Sequence, residues 1–377
     1  MRIIRRACIL TRGHAVAVVL LISAALITAD GCLGMRRAQK EMMSVVSVSI
    51  DTKALAGPHD IELQGDIAFV AGKWGSFAAV DISDASKPAV LDCITGPADA
   101  QTVFPVSGVC YLGGEDFFAI DVTEPANLKV MKKISDKRIP SINGIARYGD
   151  YLLCASKGNH ITVFDISSAA NPLLIDALHT GPLLRSPHDI AVFDNYIVVV
   201  NISAKPEQHS LRIYRVAEKR ASGLLGTDEW VLESSIREPG LRGANRVHIT
   251  GKYAVVGCNL ANHAVAVVDI SEPSDARVLK SEPTFVNYCS GLTVAGNIAI
   301  AALTNAIELF DISEPANIRS AAAQEFPTVF PKGSETVHSG HDLVYRNGLI
   351  YVTAQFDDAV GIIRVNDARL RALMDSK

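Results

Sequence analysis

Aromatic residues make up only 6% of this 377-residue chain, with 2 Trp, 9 Tyr and 12 Phe. So thin a supply argues against a platform of stacked rings of the kind that grips bases or sugars. Paired cysteines are missing too. Of 7 Cys, those beyond Cys32 are Cys93, Cys110, Cys154, Cys258 and Cys289, an odd number with no CxxC spacing. That speaks against both a disulfide framework and a thiolate zinc site. Cys110, Cys154 and Cys258 fall inside apolar runs, where cysteine serves as a small hydrophobe. No Lys/Arg cluster follows the first forty residues and the net charge is −4, so nucleic acid is not an expected partner. A GxSxG elbow, an HExxH helix, a P-loop and a dinucleotide fingerprint are all absent, which removes the commonest signatures of catalysis. No cofactor is expected.

What the chain does have begins at its N-terminus. Arg2, Arg5, Arg6 and Arg12 precede an apolar or small run over 15–29. A charged segment followed by an apolar stretch too short for a comfortable span reads as an export signal. Ala29-Asp30-Gly31-Cys32 follows, and it resembles the bacterial lipoprotein signal, in which a Cys after a small residue is lipidated. The resemblance implies 1–32 as signal, lipidation at Cys32, and a cell-envelope location on a membrane. An uncleaved anchor and a freely secreted product are the alternatives. Residues 33–43, with Arg36, Arg37, Lys40 and Glu41, read as a tether.

Beyond the tether one phrase recurs. FAAVDISDASKP (77–88), FFAIDVTEP (117–125), ITVFDISSAANP (161–172), VAVVDISEP (265–273) and IELFDISEP (307–315) each run an apolar strand into Asp, a β-branched residue, Ser or Thr, and then Pro. Internal repetition at this period signals a repeat architecture. The unit over 59–95 divides into HDIEL, IAFVA, SFAAVDIS and AVLDCIT, separated by Gly-, Asp- and Pro-containing turns. The middle two strands are apolar on both faces, so they are buried on both sides. Four short antiparallel strands per unit describe a propeller blade. The middle of the first strand falls at Ile61, Val103, Ile145, Ile190, Val247, Leu292 and Leu343, at intervals of 42, 42, 45, 57, 45 and 51.

The expected fold is therefore an all-β, seven-bladed propeller over 44–366, with blades starting near 59, 101, 143, 188, 245, 290 and 341 and a C-terminal tail over 367–377. The long intervals place an insertion in blade four around 217–228 and a longer loop around 326–339. Blade seven lacks a fourth strand of its own, and the orphan strand SVVSVSID (44–51) is expected to supply it, closing the ring. The Asp of the repeated phrase, Asp81, Asp121, Asp165, Asp269 and Asp311, is expected to cap the turn between third and fourth strands, a metal-ligand role being the other reading. These phrases resemble the LVIVD-repeat family, exported bacterial and archaeal propellers; the resemblance implies fold and export and carries no catalytic residue over.

The same ruler finds a candidate site. Two residues before each strand centre stand His59, Gln101, Asn143, His188, Asn245, Ser290 and His341, all polar in a chain that is 49% hydrophobic. They should ring one mouth of the central channel, with Arg246 beside Asn245 offering a cation. One reading is ligand recognition at that mouth by a non-enzymatic propeller. A second is that the three His-Asp pairs, at 59–60, 188–189 and 341–342, cap the strand and bond across blades. A third is a metal-dependent hydrolase or oxidoreductase, with His59, His338 and His341 as candidate ligands. Expected partners are a protein or small molecule and a membrane, and the chain itself is expected to be a monomer.

Overall fold

The computed structural model describes residues 42–376 apart from 183, 203–209, 217–224, 229, 260–263, 287 and 333–338. The signal over 1–32, lipidated Cys32, the tether up to 41, most of the blade-four insertion, and His338 lie outside the described residues. Within them the chain forms seven four-stranded antiparallel sheets arranged as the blades of a propeller. The inner strands are Pro58–Gln64, Thr102–Val106, Ile142–Tyr148, Pro187–Phe193, Ala244–Thr250, Gly291–Ala295 and Gly340–Arg346. Each lies against the inner strand of the following blade, and the last lies against the first.

The scarcity of aromatics suits this packing. Apolar clusters sit between blades, and each is built from second and third strands that are buried on both faces. Strands rich in Ala and Val let adjacent sheets approach closely, as at fully buried Ala68, Ala71, Ala78 and Ala79. Rings appear where there is room between sheets: Phe117 of blade two stacks on Phe164 of blade three with centroids 4.0 Å apart. Such a pair adds about 0.5–1.5 kcal/mol to the burial of its area. The five cysteines from Cys93 to Cys289 are free, and burial pushes the thiols of Cys110, Cys154, Cys258 and Cys289 up, away from reactive thiolate.

The repeated phrase is turn chemistry. Oδ1 of Asp81, Asp121, Asp165, Asp269 and Asp311 accepts the N–H two residues on, from Ser83, Thr123, Ser167, Ser271 and Ser313, at 2.8–3.1 Å. The Pro then starts a short 3-10 turn at Pro273–Asp275 and Pro315–Asn317. In blade four, Arg215 stands at the Asp position and instead reaches Glu233 on the fourth strand, 2.6 Å away.

The ring closes with the orphan strand. Met43–Ile50 pairs antiparallel with Ala359–Val365, from Met43 opposite Val365 to Ile50 opposite Ala359. It begins one residue earlier than the sequence suggests, because the Asn366 N–H already bonds the Met42 carbonyl. The tail after it is a helix, Ala368–Met374, capped by Asp367 and buried at Leu370 and Met374. Among the described residues no helix is long and apolar enough to cross a membrane. Deleting residues 43–50 strips blade seven of its outer strand and leaves an open edge. We expect a substantially lower melting temperature by circular dichroism, with association on gel filtration; an unchanged melt would contradict closure by this strand.

Candidate functional site: the channel and its polar ring

In five of the seven blades the ring predicted from the sequence is assembled by a recurrent bulge. In blade one, Pro58 opposes Gly72 and Asp60 opposes Ala71, so His59 is an extra residue in the inner strand. Equivalent shifts occur at Asn143, His188 and Asn245, and in blade seven around His341 and Asp342. A bulge re-aims side chains, and here it turns them toward the next blade. His59 Nδ1 meets the Gln101 carbonyl at 2.8 Å, His188 Nδ1 that of Asn245 at 2.9 Å, and His341 Nδ1 that of His59 at 2.8 Å. A carbonyl can only accept, so each imidazole carries its proton on Nδ1. Asn245 Nδ2 donates to the Ser290 carbonyl at 3.0 Å. Gln101 turns to Asp99.

Asn143 differs from the rest. It is buried at 2% exposure, and neither its Oδ1 nor its Nδ2 has a hydrogen-bond partner among the described residues. Of the predicted site residues, Asn143 and Arg246 line the central cavity, whereas the three His stand outside its lining. His59 and His341 do come together, with ring centroids 3.6 Å apart.

One residue further along three of the inner strands lies a second layer, of carboxylates, that the reading of the sequence left out of the site. Asp60 Oδ1 accepts the Ile61 N–H at 3.1 Å while Oδ2 accepts that of Val103, in blade two, at 2.8 Å. Asp189 repeats this with Ile190 and with Val247 of blade five, at 2.8 and 2.9 Å. Asp342 reaches Ile61 of blade one at 3.4 Å. The His-Asp pairs at 59–60, 188–189 and 341–342 were legible as caps that bond across blades, and they do so; that their carboxyls also line the cavity was not.

Glycine makes room for two of these carboxylates. A Cβ on Gly144 would lie 2.4 Å from Asp189 Oδ1 and 2.8 Å from its Cα, and one on Gly291 would lie 2.7 Å from the Cα of Asp342. Blade seven has no such glycine before Asp60. It carries Asp342 there, so two carboxyls meet where the ring closes. Arg246 answers them from across the channel, its Nε 3.6 Å from Asp342 Oδ1 and its side chain 8% exposed.

Electrostatics follow from this crowding. Burial, and then the Asp60 carboxyl hydrogen-bonded beside it, hold Asp342 well above the usual carboxylate range. Burial pushes Asp189 up to about 6, with Arg246 opposing. Glu62, one turn of the pleat further in, is pushed up to about 8 by burial and by Asp60. The imidazoles move the other way. Burial and the Arg246 guanidinium push His188 down to about 3, and burial also holds His59 and His341 neutral, with Lys73 adding to the effect from the rim.

The cavity along the axis has a volume of about 500 Å³, within the range of small-molecule sites. Its wall runs from Asp60, Asp189, Asp342 and Arg246 to Phe104, His248 and Tyr345. Among the described residues no three His, Cys, Asp or Glu side chains are placed to hold a metal ion.

The LVIVD repeat family model matches 58–93, 141–180, 190–207 and 242–282, so LVIVD repeats recur in four regions of a seven-bladed β-propeller closed by its N-terminal strand. The WD40 β-propeller domain of Doa1 superposes with a TM-score of 0.62 at 11% identity, covering 85% of this chain and 96% of that one. The computationally designed protein Ika8 superposes with a TM-score of 0.56 at 12% identity, covering 85% and 98%. At such identities the likeness is one of fold. No curated protein shows significant sequence similarity to the chain.

Two outcomes test this layer. Gly144→Ala should cost about 1–3 kcal/mol, because backbone as well as the Asp189 carboxylate must shift; a melting temperature equal to wild type would show that the two strands do not approach as described. Glu62 is raised in the folded state, so the native protein holds a proton that the unfolded chain releases as pH climbs from about 4.5. The stability contributed is full below that pH and is lost as pH rises through about 8. Glu62→Gln should therefore match wild type near pH 4 and become the more stable of the two as pH approaches 8; curves that stay parallel would refute the shift.

Proposed function

We propose that the protein is an exported recognition module, held at the cell envelope by a lipid on Cys32, that binds a protein or small ligand at the channel mouth ringed by His59, His188 and His341. Propellers generally act as interaction scaffolds, since rigid blades carry loops that vary freely. The observation that carries this reading is an ordered aromatic pair on the rim. Trp74 is 51% exposed and Phe356 36% exposed, and their rings meet edge-on at 5.7 Å. Both lie in loops between second and third strands, of blades one and seven, at the end where the inner strands begin. Trp74 is seated over Gly57, where a Cβ would come within 2.6 Å of the indole. Lys73 stands next to it and Lys157 occupies the equivalent loop of blade three, so the rim combines aromatic surface with positive charge. Fixed, exposed tryptophan is the side chain most enriched in interface hot spots.

A photo-reactive benzoylphenylalanine replacing Trp74 should give a discrete cross-linked adduct in intact cells, while the same group replacing Lys252, in a turn at the opposite end of blade five, should not. Equal labelling from both positions, or none from 74, would count against rim recognition. Cys32→Ala should separately release the protein from the membrane fraction; retention there would refute the lipid anchor.

A further inference from the structure

We infer that the axial cavity is a binding site for a small organic cation bearing an ammonium or guanidinium group. Charge imbalance is the first ground. Asp60, Glu62, Asp189 and Asp342 all line the cavity, and Arg246 is the cation buried among them. Arg346, at the far end of the lining, is turned to the Gly65 carbonyl and Asp66. His248 also lines the wall, and its own burial favours the neutral imidazole. Four carboxyls thus face one guanidinium in a partly desolvated space, and like charges this close are costly unless compensated. Crowding and burial accordingly push Glu62, Asp189 and Asp342 up, so that the carboxyls hold protons more tightly than they would in water.

Asn143 is the second, independent ground. A buried amide with neither atom hydrogen-bonded costs about 1–3 kcal/mol. Its counterpart in blade five, Asn245, bonds the carbonyl of the next blade, but Asn143 bonds nothing among the described residues. It lines the cavity, where it offers an acceptor to an N–H donor and a donor to any polar atom carried with it.

The carboxylates select the kind of cation. Asp60 and Asp189 each already accept two backbone N–H groups, which leaves lone pairs scattered around the wall rather than gathered at one point. A bare metal ion needs converging ligands at short range, and the described residues offer no such group of three. An ammonium or guanidinium donates several divergent hydrogen bonds and tolerates that spread. This inference rests on reading the channel as a binding site. It does not depend on the rim partner or on export.

Isothermal titration with putrescine and with methylguanidine tests it, with succinate as the anionic control. Saturable binding of either cation is expected, with none by succinate. Near pH 7 the cation should displace protons held by Glu62, so the heat should differ between buffers of different ionisation enthalpy in the sense of proton release. Glu62→Gln, which touches none of the bonds between blades, should weaken binding by about tenfold and abolish most of that release. Asn143→Leu should weaken binding as well, with its fold checked by the melting curve. Failure of both cations to bind, binding undiminished by Glu62→Gln, or an equal response to succinate would each overturn the assignment. Cross-linking from position 74 reads the rim separately, so failure of either result does not decide the other.

Discussion

Three of the joints between blades are fastened by a His-Asp pair set on a bulge near the beginning of the inner strand. Imidazoles of His59, His188 and His341 donate to the carbonyl of the following blade, and carboxylates of Asp60, Asp189 and Asp342 accept that blade's N–H. Backbone groups at the edge of an inner strand face the channel, where no fifth strand can pair with them, and leaving one buried without a partner is expensive. The His-Asp pair meets both needs at once. Further out, Asp92 and Asp176 do the same work on fourth strands, bonding the N–H groups of Leu128 and Thr227 in the neighbouring blades.

This fastening has a consequence at the closing joint. Gly144 and Gly291 clear space for the aspartates of blades four and seven, whereas blade seven presents Asp342 to Asp60. The joint where blade seven meets blade one is therefore also where carboxyls crowd, where the tilted rings of His59 and His341 meet, and where Arg246 is drawn across the axis. A device that holds the ring shut has left the channel acidic. Structural need and recognition are not alternatives here, because the same residues create the charge that a ligand would answer.

The blade count, the closing strand and the role of the repeated Asp were legible because each depends on local pattern. Strands apolar on both faces, turn residues and a fixed repeat are properties of short segments. The positions of His59, His188 and His341 on one ring were legible for the same reason. That His-Asp pairs would bond across blades was legible too; which atoms they meet was not, since that depends on a one-residue bulge and on neighbours 42, 57 or 282 residues away. The bulge also explains why Asp60, Asp189 and Asp342 were read as caps and not as cavity lining. In a regular strand successive side chains point to opposite faces, so a reader who aims His at the channel aims the next residue away from it. Asn143 looked like one of seven equivalents until its amide proved to lack the partner that Asn245 has.

The bond between blades is the claim on which all this turns, and amide hydrogen exchange reads it at single residues. The N–H of Val247 is held by Asp189, and that of Val103 by Asp60. In the wild type both should exchange as slowly as the central strands of the blades. In Asp189→Ala, Val247 should exchange much faster while Val103, on the far side of the ring, keeps its protection. If Val247 exchanges no faster in the variant, the carboxylate does not hold the next blade and the account fails.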